Sequence, residues 1–91
     1  MNKNDLIAKV SADANLSKND ASEAVEATLA NISKALQQGE EVRLIGFGTF
    51  SVSHRAAGEA RDPRTGQKIP RPASKVARFK AGKALKDAVN V

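Results

Sequence analysis

Residues 52–79 read VSHRAAGEARDPRTGQKIPRPASKVARF. The two ends of this stretch alternate apolar and polar residues in the manner of strands, through Val52-Ser53 at the start and Val76 and Phe79 at the end. The middle, residues 54–75, has Ile69 as its only large aliphatic side chain, yet it holds six of the chain's basic residues and all three of its prolines. Such a segment has no apolar face to lay on a core. The simplest construction is a long two-stranded ribbon that projects from a body and turns near Asp62–Gly66. Pro63-Arg64-Thr65-Gly66 suits that turn, since proline pre-sets φ and glycine accepts a positive one. Pro70 and Pro72 lack N–H donors, which the edge of a two-stranded ribbon tolerates. Isolated hairpins are marginal in water, so the arm is expected to be mobile until it meets a partner. A disordered basic loop is the alternative reading of the same residues.

Upstream of the arm the pattern has period two. Val42 and Leu44 alternate with Arg43, Gly46-Phe47-Gly48 forms a turn, and Phe50 and Val52 alternate with Thr49, Ser51 and Ser53, giving a second strand from residue 49. Further upstream the period is that of a helix. Leu6, Ile7, Val10 and Ala14 make one stripe over residues 3–14, with Asn2 as N-cap and Asp5 three positions on. Asn15-Leu16 interrupts it. Ser17 with Asp20 opens a second helix in the manner of a capping box. Ala21, Val25, Leu29, Ile32 and Leu36 line one face of it, and Gly39 stands where a left-handed C-terminal residue belongs. Ala84, Leu85, Ala88 and Val89 mark a short C-terminal helix.

The fold class is therefore α+β. An N-terminal helical hairpin precedes a three-stranded antiparallel sheet that carries the arm, and a short helix ends the chain. Residues 1–91 form one domain, with a body of 1–53 and 76–91 and an arm of about 54–75. Without the arm about 70 residues remain to make a core, and three Phe are its only aromatics. A hairpin of helices on one face of three strands leaves Phe47, Phe50 and Phe79 poorly covered. A dimer with a shared core follows, into which Leu44, Ile32 and Leu36 also fall, and folding would be coupled to association.

Charge separates along the 91 residues, whose formal net charge is +5. Residues 1–52 carry five basic against seven acidic side chains, and residues 53–91 carry ten against three. An acidic half joined to a strongly basic one points to nucleic acid or another anionic surface. There is no Cys, which removes disulfides, thiolate metal sites and cysteine nucleophiles, and there is one His, His54, read as a solvated strand residue. No paired carboxylates suit acid–base work, and no glycine-rich phosphate loop follows a strand. The expectation is a protein with no catalytic residues, metal or cofactor. The longest apolar run is Leu6-Ile7-Ala8, too short to span a bilayer or serve as a signal peptide, so a cytoplasmic protein with no membrane partner is expected.

Gly46-Phe47-Gly48-Thr49-Phe50 followed by Arg55, and then Arg61-Asp62-Pro63-Arg64-Thr65-Gly66, resemble the bacterial histone-like HU family, which includes the integration host factor subunits. The resemblance runs without gaps from Met1-Asn2-Lys3 to the closing Phe79-Lys80-Ala81-Gly82-Lys83-Ala84-Leu85-Lys86-Asp87-Ala88-Val89-Asn90, and the ending is more like HU than like an integration host factor subunit. It implies an intertwined homodimer whose two ribbon arms embrace double-stranded DNA in the bacterial nucleoid, bending, wrapping and compacting it through the minor groove. It implies that Pro63 wedges between base pairs, flanked by Arg61 and Arg64. Arg55, Lys68, Arg71 and Lys75 would follow the backbone along the arm, and Lys3, Lys80, Lys83 and Lys86 would meet phosphates on the body.

The chain departs from the family pattern in having Asp62 in place of the usual Asn, and Gly58 and Glu59 where basic residues are common. Arg64 and Arg71 stand where uncharged residues are frequent. Basic residues on a flexible arm favour phosphate and shape recognition over base readout, so little sequence preference is expected, with bent, nicked or junction DNA as ligands. Three other readings remain open: a site-selective integration-host-factor-like subunit, a heterodimer with a paralogue, and binding of double-stranded RNA or the ribosome. The arm has no aromatic residue for stacking on single strands.

Overall fold

The computed structural model describes residues 1–91 as two units, Met1–Lys34 and Ala35–Val91. The first unit holds helix α1 (Lys3–Ala14) and most of helix α2 (Lys18–Gln37). Asn2 caps α1 through a complete capping box, its side chain accepting from the Asp5 N–H while the Asp5 carboxylate accepts from the Asn2 N–H. Asn15 ends the helix in the left-handed conformation at φ 57°, and the Leu16 carbonyl accepts a hydrogen bond from the Ser11 hydroxyl. At the start of α2 the Ser17 hydroxyl accepts from the Asp20 N–H at 3.1 Å, one half of the box expected there. Lys3 and Glu26 join the two helices by an ion pair at 2.6 Å. Ala21 and Val25 are the buried apolar side chains of the chain, and Leu6, Val10, Ala24, Val25, Thr28 and Leu29 line an open apolar groove between the helices.

The second unit begins with the last turn of α2. The Gly39 N–H donates to the Leu36 carbonyl and the Glu40 N–H to the Ala35 carbonyl, with Gly39 at φ 78°. That is the 5→2 and 6→1 pair that closes a helix on a left-handed residue. Strands β1 (Val42–Leu44), β2 (Gly48–Arg55) and β5 (Ser74–Ala81) form an antiparallel sheet in the order β1-β2-β5. Strands β3 (Gly58–Arg61) and β4 (Lys68–Arg71) form a separate two-stranded sheet. Helix α3 (Lys83–Val89) follows, its first turn tied back by the Gly82 N–H donating to the Phe47 carbonyl at 2.8 Å. The chain thus has the expected α+β class and element order.

Two details differ from the sequence reading. Strand β2 starts at Gly48, one residue early, because Gly48 pairs with both Leu44 and Ala81. A Cβ there would lie 2.6 Å from Phe79 Cε1 and 2.7 Å from the Lys80 carbonyl oxygen, so the pairing requires glycine. The ribbon is also not continuous. Pairing of β2 with β5 ends at Arg55–Ser74 and resumes at Gly58–Arg71, leaving Ala56-Ala57 and Pro72-Ala73 outside both sheets. Pro72 has no N–H to give a ladder, which accounts for the break on its side. Pro70 stays within β4, opposite Glu59.

Candidate nucleic-acid interface

Alternation along paired strands sorts the sheet residues onto two faces. The register Phe50–Phe79, Val52–Ala77 and Val42–Phe50 gathers Val42, Leu44, Phe50, Val52, Ala77 and Phe79 on one face. Phe79 packs tilted against Phe50 and Phe47, with ring centroids 4.8 and 5.6 Å apart. Within the single chain Phe79 remains 44% exposed, Phe47 48% and Leu44 40%, so this face lacks a full cover. Phe50, Ile32 and Leu36 are half-buried.

The other face carries Arg43, Thr49, Ser51, Ser53, Arg55, Arg78 and Lys80, with Val76 as its one large apolar residue. Arg78 Nε donates to the Ser53 hydroxyl at 2.7 Å, which agrees with a shared face. Arg78 and Arg43 are absent from the set of binding residues read from the sequence. Their signal was parity: Arg78 stands two residues from Lys80, and Arg43 pairs with Thr49, which pairs with Lys80.

At the outer end of this sheet His54 opposes Lys75 and Arg55 opposes Ser74, so cationic residues stand on both faces where the ribbon leaves. A shallow groove at that point is lined by His54, Arg55, Ala56, Ala73, Ser74 and Lys75. Beyond the break, β3 and β4 pair as Gly58–Arg71, Glu59–Pro70, Ala60–Ile69 and Arg61–Lys68. Arg61 and Lys68 therefore share a face with Glu59, whose carboxylate lies 3.7 Å from Lys68 Nζ.

The turn is closed by its own hydrogen bonds. The Asp62 N–H donates to the Gln67 carbonyl and the Gly66 N–H to the Asp62 carbonyl, both at 2.8 Å, with Gly66 at φ 72°. The Asp62 carboxylate accepts from the Arg64 N–H at 2.9 Å, so it shapes the tip, and its side chain is only 21% exposed. Pro63 is exposed at the apex between Asp62 and Arg64.

The structure thus groups Arg61, Pro63, Arg64 and Lys68 at the tip, Arg71 behind them, and Arg55 with Lys75 at the arm base. Lys80 belongs to the sheet and Lys83 and Lys86 to α3, while Lys3 belongs to the first unit. Lys3 is paired with Glu26 and Lys83 with Asp87 at 2.7 Å. Exposed pairs of this kind contribute only about 0–1 kcal/mol, so they yield readily to a phosphate. No helix is long and apolar enough to cross a membrane.

A basic two-stranded arm with a proline at its apex, carried on a small α+β body, is an arrangement suited to embracing a polyanion. The family model for bacterial DNA-binding proteins matches residues 1–90, and the chain belongs to that family. HU proteins are among its relatives. It is 56% identical over 89 residues to DNA-binding protein HU of Staphylococcus aureus (strain COL), covering 98% of this chain and 99% of that one. It is 51% identical over 90 residues to DNA-binding protein HU-beta of Salmonella typhimurium, covering 99% and 100%. Among solved structures, the chain of an Anabaena HU–DNA cocrystal structure superposes with a TM-score of 0.89 at 38% identity, covering 98% of this chain and 97% of that one.

Proposed function

We propose that this protein is a non-enzymatic architectural protein of the bacterial nucleoid, which binds double-stranded DNA with little sequence preference and bends, wraps and compacts it. The observation that carries the reading is the arm: a narrow ribbon with Arg55, Arg61, Arg64, Lys68, Arg71 and Lys75 along it and the exposed ring of Pro63 at its apex. A two-stranded ribbon fits a groove of the duplex. Its cations replace condensed counterions, so affinity comes mainly from phosphate and not from base edges. A rigid apolar ring at the tip can enter a base step, at a cost of roughly a few kcal/mol that wrapping offsets. Lys80, Lys83, Lys86 and Lys3, joined by Arg78 and Arg43 on the polar sheet face, would meet the bent duplex on the body.

The acting species in this reading is a homodimer. Residues 1–53 and 76–91 supply the dimerisation body and 54–75 the arm. Phe47, Phe50, Phe79, Leu44, Ile32 and Leu36 close against the second copy, which supplies the cover that the aromatic face lacks in one chain. A chain this small, with two buried apolar residues of its own, is otherwise short of core.

The test is a gel shift with linear, nicked and four-way-junction duplexes and with double-stranded RNA, at two salt concentrations. Binding to all three DNAs, strongest on nicked and junction forms, with log K falling by about 0.9 per phosphate neutralised for each unit of log salt, is the expected result. Preference for RNA would replace this reading with a ribosome-associated one. Strong selectivity for one DNA sequence, or a need for a second polypeptide, would replace it with a site-selective heterodimer.

A further inference from the structure

The arm contains a cross-strand pair whose members are unusual together. Gly58 and Arg71 sit directly opposite each other in the β3–β4 register. Glycine weakens a strand, and it is normally retained where the backbone needs a positive φ. Gly58 has no such need: the positive-φ glycines are Gly39, Gly46 and Gly66. What its missing side chain provides is space. A Cβ at Gly58 would lie 3.2 Å from Arg71 Nη2 and 3.9 Å from Arg71 Cζ. The Arg71 side chain therefore reaches across the ribbon and rests its guanidinium over the Gly58 backbone.

The consequence shows in burial. The other residues of β3 and β4 are exposed, whereas Arg71 is half-buried and its Nε is covered with no hydrogen-bond partner. Both carboxylates of the distal arm lie close to other cations, Glu59 to Lys68 and Asp62 to Arg64. Alternation places Gly58, Ala60, Ile69 and Arg71 on one face, where Arg71 is the sole charge, and Glu59, Arg61, Lys68 and Pro70 on the other. A guanidinium half-buried against the ribbon, with no carboxylate paired to it, is a pre-organised fork for an anion. Less side-chain freedom is lost when a phosphate arrives than for a free arginine.

We propose that Gly58 is a positioning residue for Arg71: its lack of a side chain seats the guanidinium across the ribbon, where it takes a backbone phosphate of duplex DNA on the face that has no other cation. The inference rests on the DNA-binding reading above. It has a sign that a structural role lacks. Gly58→Val favours the strand and stiffens the arm, which on backbone grounds would leave binding unchanged or improve it. Loss of the seat predicts weaker binding instead.

The experiment is a double-mutant cycle on the full-length protein, with fluorescence anisotropy on one duplex at two salt concentrations. The proteins are the parent, Gly58→Val, Arg71→Ala, the double variant, and Arg71→Lys with and without Gly58→Val. Gly58→Val should weaken binding about fivefold in the parent and less than about twofold in the Arg71→Ala background, a non-additivity that marks a shared contact. Arg71→Lys should keep the salt slope of the parent and be insensitive to the residue at 58. Gly58→Ala, whose Cβ needs only a small shift of the guanidinium, should fall between parent and Gly58→Val. Equal losses in both backgrounds, as a misfolded arm would give, overturn the proposal, and so does a Gly58→Val protein that binds as well as the parent. A parent that fails to bind DNA refutes the functional reading itself, and this inference with it. A parent that binds while the cycle shows no coupling refutes only the role of Gly58.

Discussion

Replacing Phe79 by Ala tests whether the aromatic face is covered by a second copy. A phenylalanine exposes about 200 Å² when free. Phe79 keeps 44% of its exposure in the single chain, so its packing on Phe50 and Phe47 already hides about half its surface. At ~25 cal/mol per Å² that half is worth about 2–3 kcal/mol, which Phe79→Ala removes from the stability of one chain whatever its oligomeric state. If a partner covers the rest, each chain loses about 2 kcal/mol more on association, and a dimer contains the contact twice. The dimer should then weaken by about 4 kcal/mol, close to a thousandfold in its dissociation constant. Sedimentation equilibrium of parent and variant over a wide concentration range measures that constant directly. Thermal unfolding at several protein concentrations adds a second reading, because an obligate dimer has a concentration-dependent Tm. A parent that sediments as a folded monomer at micromolar concentration would refute the shared-core argument. So would a variant that loses stability but associates as tightly as the parent.

Three other substitutions address the arm and the sheet. Pro63→Ala removes the apical ring but no charge. It should abolish most bending, read by end-to-end energy transfer on a short duplex, while leaving the salt slope and the affinity for nicked DNA nearly unchanged; bending equal to the parent's would make the arms simple electrostatic clamps. Asp62→Asn keeps an oxygen able to accept from the Arg64 N–H and deletes a negative charge at the tip, so binding to every DNA should tighten by a few fold with the same bend, and weaker binding would show that the carboxylate is needed for the turn. Arg78→Ala should flatten the salt slope by about one phosphate per chain with little change in Tm, because the residue is exposed and its one hydrogen bond is to Ser53; an unchanged slope would exclude the polar sheet face from the interface.

The elements of this chain are local events, and local chemistry is written in the sequence. Asn2 with Asp5, Ser17 with Asp20 and Gly39 after Leu36 mark helix ends because each satisfies backbone groups within a few residues. Pro63 to Gly66 marks the ribbon turn for the same reason, and the separation of charge between the two halves needs no structure to be seen. Register is different, because it joins residues far apart in the chain. Alternation says that Arg78 and Lys80 share a face, but only the pairing of Phe50 with Phe79 and of Val42 with Phe50 decides that Arg43 and Arg55 lie on that face, opposite the phenylalanines. The pairing also decides where the ribbon breaks, since Pro72 removes one donor while the residues that lose their partners, Ala56 and Ala57, carry no signal of their own. Gly58 and Arg71 are thirteen positions apart and read singly as a flexible residue and one more cation. Their relation exists only because the strand pair sets one against the other and the missing Cβ leaves room for a guanidinium, a fact of packing that no local pattern encodes.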